Sequence, residues 1–145
     1  IAHGVAPNDD FKQGLALSLR ENWPSLYKDF RHYSYSVHPK EGSLWTWKGS
    51  EGPHIVNLFT QEHSPAHGAK PGQATLSYVK HSLKELVKEQ KSKSFKSIAV
   101  PKIATGVGGL SWNDIKPLIS EQLGQLDIPV YVYEEYKKDV QAIED

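Results

Sequence analysis

The apolar positions along the chain alternate between two periods, the mark of strands interleaved with helices. Ile1–Val5 is a short apolar run that ends in the turn-rich stretch Ala6-Pro7-Asn8-Asp9-Asp10, so it predicts a strand followed by a loop. Leu15, Ala16, Leu19 and Trp23 then fall on one helical face behind Gly14, and Pro24 opens a second helical run with Leu26, Tyr27 and Phe30. Ser43–Trp47 and His54–Thr60 predict two strands, and the Gly-rich turn between them predicts that they pair antiparallel. Residues 61–72 are rich in His, Pro and Gly without periodicity, which predicts a long functional loop. Leu76, Val79, Leu83, Leu86 and Val87 form the clearest amphipathic stripe, with Lys80, Lys84, Lys88 and Lys91 on a solvated outer face. Ser97–Val100 reads as a strand buried on both faces. Ser111 reads as the cap of a helix carrying Ile115, Leu118, Ile119 and Leu123, and Ile128–Tyr133 as the last strand. The charged residues 134–145 read as a short helix or a frayed end.

Strands alternating with helices over 145 residues imply one domain, 1–145, with a three-layer α/β/α fold and a mixed central sheet. Trp45 and Trp47 share one side of their strand and should pack against a helix.

Composition narrows the chemistry. There are 17 Lys plus Arg against 17 Asp plus Glu, so no global field attracts nucleic acid or an anionic membrane. A bound phosphate must therefore be held by local geometry. The absence of cysteine excludes disulfides, thiolate metal sites and a cysteine nucleophile. No apolar run is long enough to span a bilayer. A cytoplasmic protein is expected, or a nuclear one in a eukaryotic source, acting as a monomer without metal or cofactor.

The informative segment is 98–114: strand, glycine-rich loop, capped helix. Ligands of open α/β sheets bind outside the carboxyl ends of strands. Glycines there allow close backbone approach, and a helix N-terminus adds free amides and partial positive charge. Ile103-Ala104-Thr105-Gly106-Val107-Gly108-Gly109 is thus an anion-site candidate without a cationic side chain. It lacks the Gly-Lys-Ser/Thr ending of a P-loop and is not Gly-x-Gly-x-x-Gly, which disfavours an NTPase and a Rossmann site. The loop from Gly4 to Gly14 repeats the strand-to-helix logic, and two such loops side by side suit a diphosphate.

At these loops the sequence resembles the macrodomain family. The match lies in Ala99–Trp112, in His3-Gly4-Val5 with Phe11, Gly14, Leu15, Ala16, Trp23-Pro24 and Tyr27, and in Asn57-Leu58-Phe59-Thr60-Gln61 with Tyr78. The similarity is greatest to the branch of terminal ADP-ribose protein glycohydrolase, the fungal ADP-ribose 1″-phosphate phosphatase and the antitoxins that remove ADP-ribose from DNA. The resemblance implies ADP-ribose, free or carried on a macromolecule, as ligand. It implies that Thr105–Gly109, preceded by Ile103 and Ala104, wrap the diphosphate and distal ribose. Gly4, Val5, Phe11, Gly14 and Leu15 would line the opposite wall, Thr60 and Gln61 the strand end between, and Tyr133 would stack near adenine.

The departures from the family pattern are specific. The family's N-terminal strand ending in Gly-Asp has no counterpart from Ile1 onward, so a fold without that first strand is expected. A common asparagine is Ala6, and the glycine-rich approach to Gly14 is Phe11-Lys12-Gln13. The lysine and aspartate of the glycohydrolase fall on Gln61 and Gly108. His3 matches a histidine of the branch and is one catalytic candidate, with a pKa in the useful range; His67, in the 61–72 loop, is the other. Pro65 between His63 and His67 argues against a helical metal pair. Three functions follow: hydrolysis at the distal ribose (of a 1″-phosphate, an ester or a glycosidic link), a non-catalytic reader of ADP-ribosylated targets, and, with less support, a nucleic-acid module using the lysine-rich helix and the tryptophan strand.

Overall fold

The computed structural model describes residues 1–65 and 72–134. Five strands and four helices follow the expected order: β1 Ala2–Val5, α1 Gly14–Asn22, α2 Pro24–Val37, β2 Leu44–Trp47, β3 Ile55–Phe59, α3 Leu76–Lys93, β4 Ile98–Pro101, α4 Trp112–Leu123 and β5 Val130–Tyr133. β3 is central to a three-stranded ladder, parallel to β1 and antiparallel to β2, as the Gly-rich turn predicts. β4 and β5 pair in parallel, and β4 packs beside β1. The sheet is therefore mixed.

Register sorts the strand residues onto two faces. Val5, Ile55, Phe59 and Trp47 point to one side, where they meet Leu19, Leu26 and Phe30 of α1 and α2. Ala2, Val56, Leu58, Ile98 and Val100 point to the other, where they meet Val79, Leu83, Leu86, Ile115 and Ile119 of α3 and α4. Two helical layers thus enclose the sheet, and the fold is the three-layer α/β/α fold the sequence predicts.

The tryptophans pack as the alternation predicts. Trp45 stacks on Tyr33 of α2, with ring centroids 4.9 Å apart and planes 12° from parallel. Trp47 is buried, and its Nε1 donates to Asp29 Oδ2 at 2.8 Å. Their rings are committed to the core, which withdraws them as base-stacking surfaces. Lys80, Lys84, Lys88 and Lys91 are exposed on α3, as expected.

β4 corrects one expectation. Ile98 and Val100 are buried, whereas Ala99 and Pro101 are half-buried. The layer made by α1 and α2 covers β1, β3 and β2 but contributes no core contact to β4 or β5. One face of β4 is therefore left as the floor of a cleft. Residues 135–145, and with them the expected tail helix, lie outside the described residues.

Candidate functional site

The cleft has a volume of about 750 Å³. Its floor is the uncovered face of β4, with Ala99 and Pro101, bordered by the β1 residues His3 and Val5. One wall is the loop before α1 with the start of that helix, and the other is the loop after β4.

The loop after β4 is held open by its own backbone. Ala104 adopts a left-handed φ of 63° and its carbonyl accepts the Leu110 amide at 3.0 Å, while the Gly109 amide donates to Gly106 at 3.1 Å. Gly108 O accepts the Ala74 amide at 3.0 Å, tying the loop to the segment before α3. A Cβ on Gly108 would lie 2.7 Å from Ala104 O and 2.9 Å from Ala74 Cβ, so only glycine fits. Gly106 instead faces open space. The amides of Thr105, Gly106, Val107 and Gly108 donate no hydrogen bond among the described residues. Ser111 Oγ caps α4 by accepting the Asn113 amide at 3.3 Å, as expected.

The opposite wall is organised by Asp9, a residue the motif reading passed over. Its Oδ2 accepts the Ala6 amide at 3.1 Å and its Oδ1 the Phe11 amide at 2.9 Å. Burial holds its pKa above the ordinary value, and these two bonds oppose the shift. The arrangement forces Phe11 to a left-handed φ of 55°. Beyond it α1 starts without a side-chain cap, so the amides of Gly14, Leu15 and Ala16 are open at the cleft wall. Two sets of unpaired amides thus border one cavity.

The sequence-derived site residues divide as follows. His3, Gly4, Val5, Gly14 and Leu15 line the cleft, as do Gln61 and Tyr133. So do Ile103, Ala104, Thr105, Gly106, Val107 and Gly108. Three do not. Phe11 is turned inward by the Asp9 bonds, and its ring centroid lies 4.8 Å from that of Phe30 and 5.6 Å from that of His3, the latter pair nearly perpendicular. Thr60 is buried beneath Gly4, at 2.6 Å from where a Gly4 Cβ would lie. Gly109, at φ 78°, turns the chain away behind the loop. Gln61 Nε2 donates to Gly72 O at 3.2 Å. His67 lies outside the described residues. His63 pairs with Glu41 at 3.1 Å, and no group of metal-ligating side chains occurs among the described residues.

Asn57 is the polar residue that periodicity did not single out. It is fully buried in the middle of β3, and its Oδ1 lies 2.7 Å from His3 Nε2. Its Nδ2 donates to Trp45 O at 3.0 Å, which fixes the amide with the oxygen toward His3. His3 Nε2 must then carry the proton, leaving Nδ1 as an acceptor. Burial lowers the His3 pKa to about 4 against the support of the Asn57 bond, so the ring is neutral at physiological pH. The available signal was a lone amide within the apolar run Ile55–Phe59, a position that demands a partner.

Comparison with known proteins decides the family. The Macro domain family matches residues 36–119. The chain is a macrodomain. Its matched segment runs from the end of α2 through β2, β3, α3 and β4 into α4, and so contains the Gly108 wall. A relative from Thermus aquaticus named DNA ADP-ribosyl glycohydrolase is 29% identical over 84% of this chain. The chain spans 33% of that relative's length. Among solved structures, the macrodomain of Mycobacterium tuberculosis DarG superposes with a TM-score of 0.82 at 23% identity, covering 93% of this chain and 88% of that one. Thermosipho africanus DarTG in complex with ADP-ribose superposes with a TM-score of 0.81 at 22% identity, covering 97% of this chain and 39% of that one. These likenesses establish the three-layer macrodomain fold.

Proposed function

We propose that the cleft binds ADP-ribose attached to a macromolecule and that the protein hydrolyses the bond at the distal ribose. The observation that carries this reading is the pair of amide sets, Gly14–Ala16 and Thr105–Gly108, facing one cavity. A diphosphate bridging them would accept hydrogen bonds from both and sit at the positive end of α1. Tyr133, half-buried at the end of β5, supplies an aromatic face for adenine at the cleft rim. The similarity to a protein named DNA ADP-ribosyl glycohydrolase supports ADP-ribosylated DNA as the substrate.

Cleavage of a glycosidic link passes through an oxocarbenium-like transition state, which asks chiefly for a fixed ribose and a placed water. A neutral His3 with a free Nδ1 lone pair suits the holding of that water or of a ribose hydroxyl. Its lowered pKa makes it a weak base, which suits a positioning role better than proton abstraction.

A second reading, a reader that binds without turnover, is favoured by the positions of Gln61 and Gly108. They stand where the glycohydrolase branch has lysine and aspartate, and the backbone contacts at Gly108 leave no space for a side chain. Calorimetry with ADP-ribose tests the shared claim, and absence of heat at millimolar ligand would remove both readings. Incubation with a mono-ADP-ribosylated oligonucleotide then separates them: released ADP-ribose marks the hydrolase, and stable binding without release marks the reader.

A further inference from the structure

A second concavity, of about 480 Å³, lies on the outer side of α1 and α2. Arg20 from α1 and Lys28 and Arg31 from α2 line it, with Tyr27 among them and Glu21 the one acidic member. The Arg20 guanidinium lies 3.9 Å from the Tyr27 ring centroid, and its Nη1 donates to Asp10 O at 3.0 Å. The Arg31 guanidinium lies 5.9 Å from the same ring. No carboxylate forms an ion pair with Arg20, Lys28 or Arg31 among the described residues. In a chain of zero net charge, two guanidinium groups near one aromatic ring, with Lys28 lining the same concavity, form a local positive field.

We propose that this groove between α1 and α2 binds the phosphodiester backbone of a nucleic-acid strand, with Arg20, Lys28 and Arg31 as the phosphate contacts. Guanidinium groups pair with phosphate oxygens in bidentate fashion, and the Tyr27 ring holds Arg20 in place for such a contact. Phosphodiesters repeat a single charge along the strand, so a strand offers successive anions to cations drawn from two adjacent helices. One helix separates groove from cleft: Leu15 and Ala16 of α1 face the cleft, and Leu17, Arg20 and Glu21 face the groove. Arg20 also touches the carbonyl of Asp10 in the cleft wall. A strand lying in the groove would thus reach an ADP-ribose seated in the cleft. That coupling rests on the proposed ADP-ribose reading, whereas the groove itself does not. The site differs from the lysine face of α3 and the tryptophan strand that the sequence offered for nucleic acid.

The test is fluorescence anisotropy of a labelled single-stranded DNA 12-mer without ADP-ribose, over a range of salt. The variant Lys28→Glu/Arg31→Glu changes two exposed side chains. Lys84→Glu/Lys91→Glu on α3 makes an equal change of charge elsewhere. The first variant should weaken binding about tenfold at low salt and reduce the slope of log K against log salt by roughly 1.4, from about 0.7 per phosphate contact. The second should leave both within twofold of the parent, and both variants should bind ADP-ribose as the parent does. Absence of binding by the parent, or equal loss in the two variants, would overturn the proposal. So would competition by poly-glutamate as effective as that by unlabelled DNA. A failure of ADP-ribose binding with the groove behaviour intact would count against the cleft reading alone.

Discussion

His3 Nε2 and Asn57 Oδ1 lie 2.7 Å apart, directly across the parallel pairing of β1 and β3. Trp45 stands opposite Asn57 on β2, so one row across three strands runs from the cleft floor to the aromatic core. The row couples the site to the stability of the sheet, because the His3 and Asn57 side chains are buried and bond to each other.

That row makes stability depend on pH. His3 titrates near 6.5 unfolded and at about 4 folded, so the unfolded chain binds the proton first. The His3 contribution is complete above pH 6.5 and is lost as pH falls toward 4, at about 1.4 kcal/mol per unit. Asp9, whose pKa is raised by burial, works in the opposite direction just above its ordinary value of 3.8. Urea titrations between pH 7 and 4.5 should show this loss, and His3→Gln should flatten it. An unchanged slope in the variant would show that the titration lies elsewhere.

Asn57→Ala should cost about 1–3 kcal/mol, because it leaves His3 Nε2 without its buried partner. Chemical denaturation measures it. The His3 pKa should also fall further, since the Asn57 bond is the contribution that raises it. NMR titration of the ring reads that shift.

Gly106 and Gly108 should separate binding from folding. A methyl on Gly108 meets backbone and the Ala74 side chain, so Gly108→Ala should destabilise by about 1–3 kcal/mol. A methyl on Gly106 meets nothing within 4 Å. Gly106→Ala should therefore leave stability within about 0.5 kcal/mol, and it should reduce ADP-ribose affinity by filling the space beside the open amides. Thermal melts and calorimetry on the two variants check both halves.

Gly4→Ala should destabilise, because its Cβ would lie 2.6 Å from the buried Thr60 Oγ1. The obstacle is a side-chain atom, so Thr60→Ala in the same chain should restore part of the loss. A double-mutant cycle should give a coupling of about 0.5–3 kcal/mol, and additive effects would contradict the contact.

Much of the fold was legible in the chain. Period-3.6 stripes place α1 to α4, short apolar runs place the strands, and Pro24 and Ser111 mark helix starts, because these signals arise from neighbours within one turn or one pleat. The two glycine loops were legible for the same reason: open backbone at a strand-to-helix junction is a local property. Tertiary structure alone decided which side of each element faces what. β4 reads as buried on both sides, yet Ala99 and Pro101 floor the cleft, because α1 and α2 stop short of it. Phe11 sits within a ligand-loop motif but points into the core, since Asp9 captures its amide and reverses the chain. Asn57 needs His3 from 54 residues away, and the cationic groove needs two helices side by side. Partners that the chain joins only by folding leave no periodic trace in sequence.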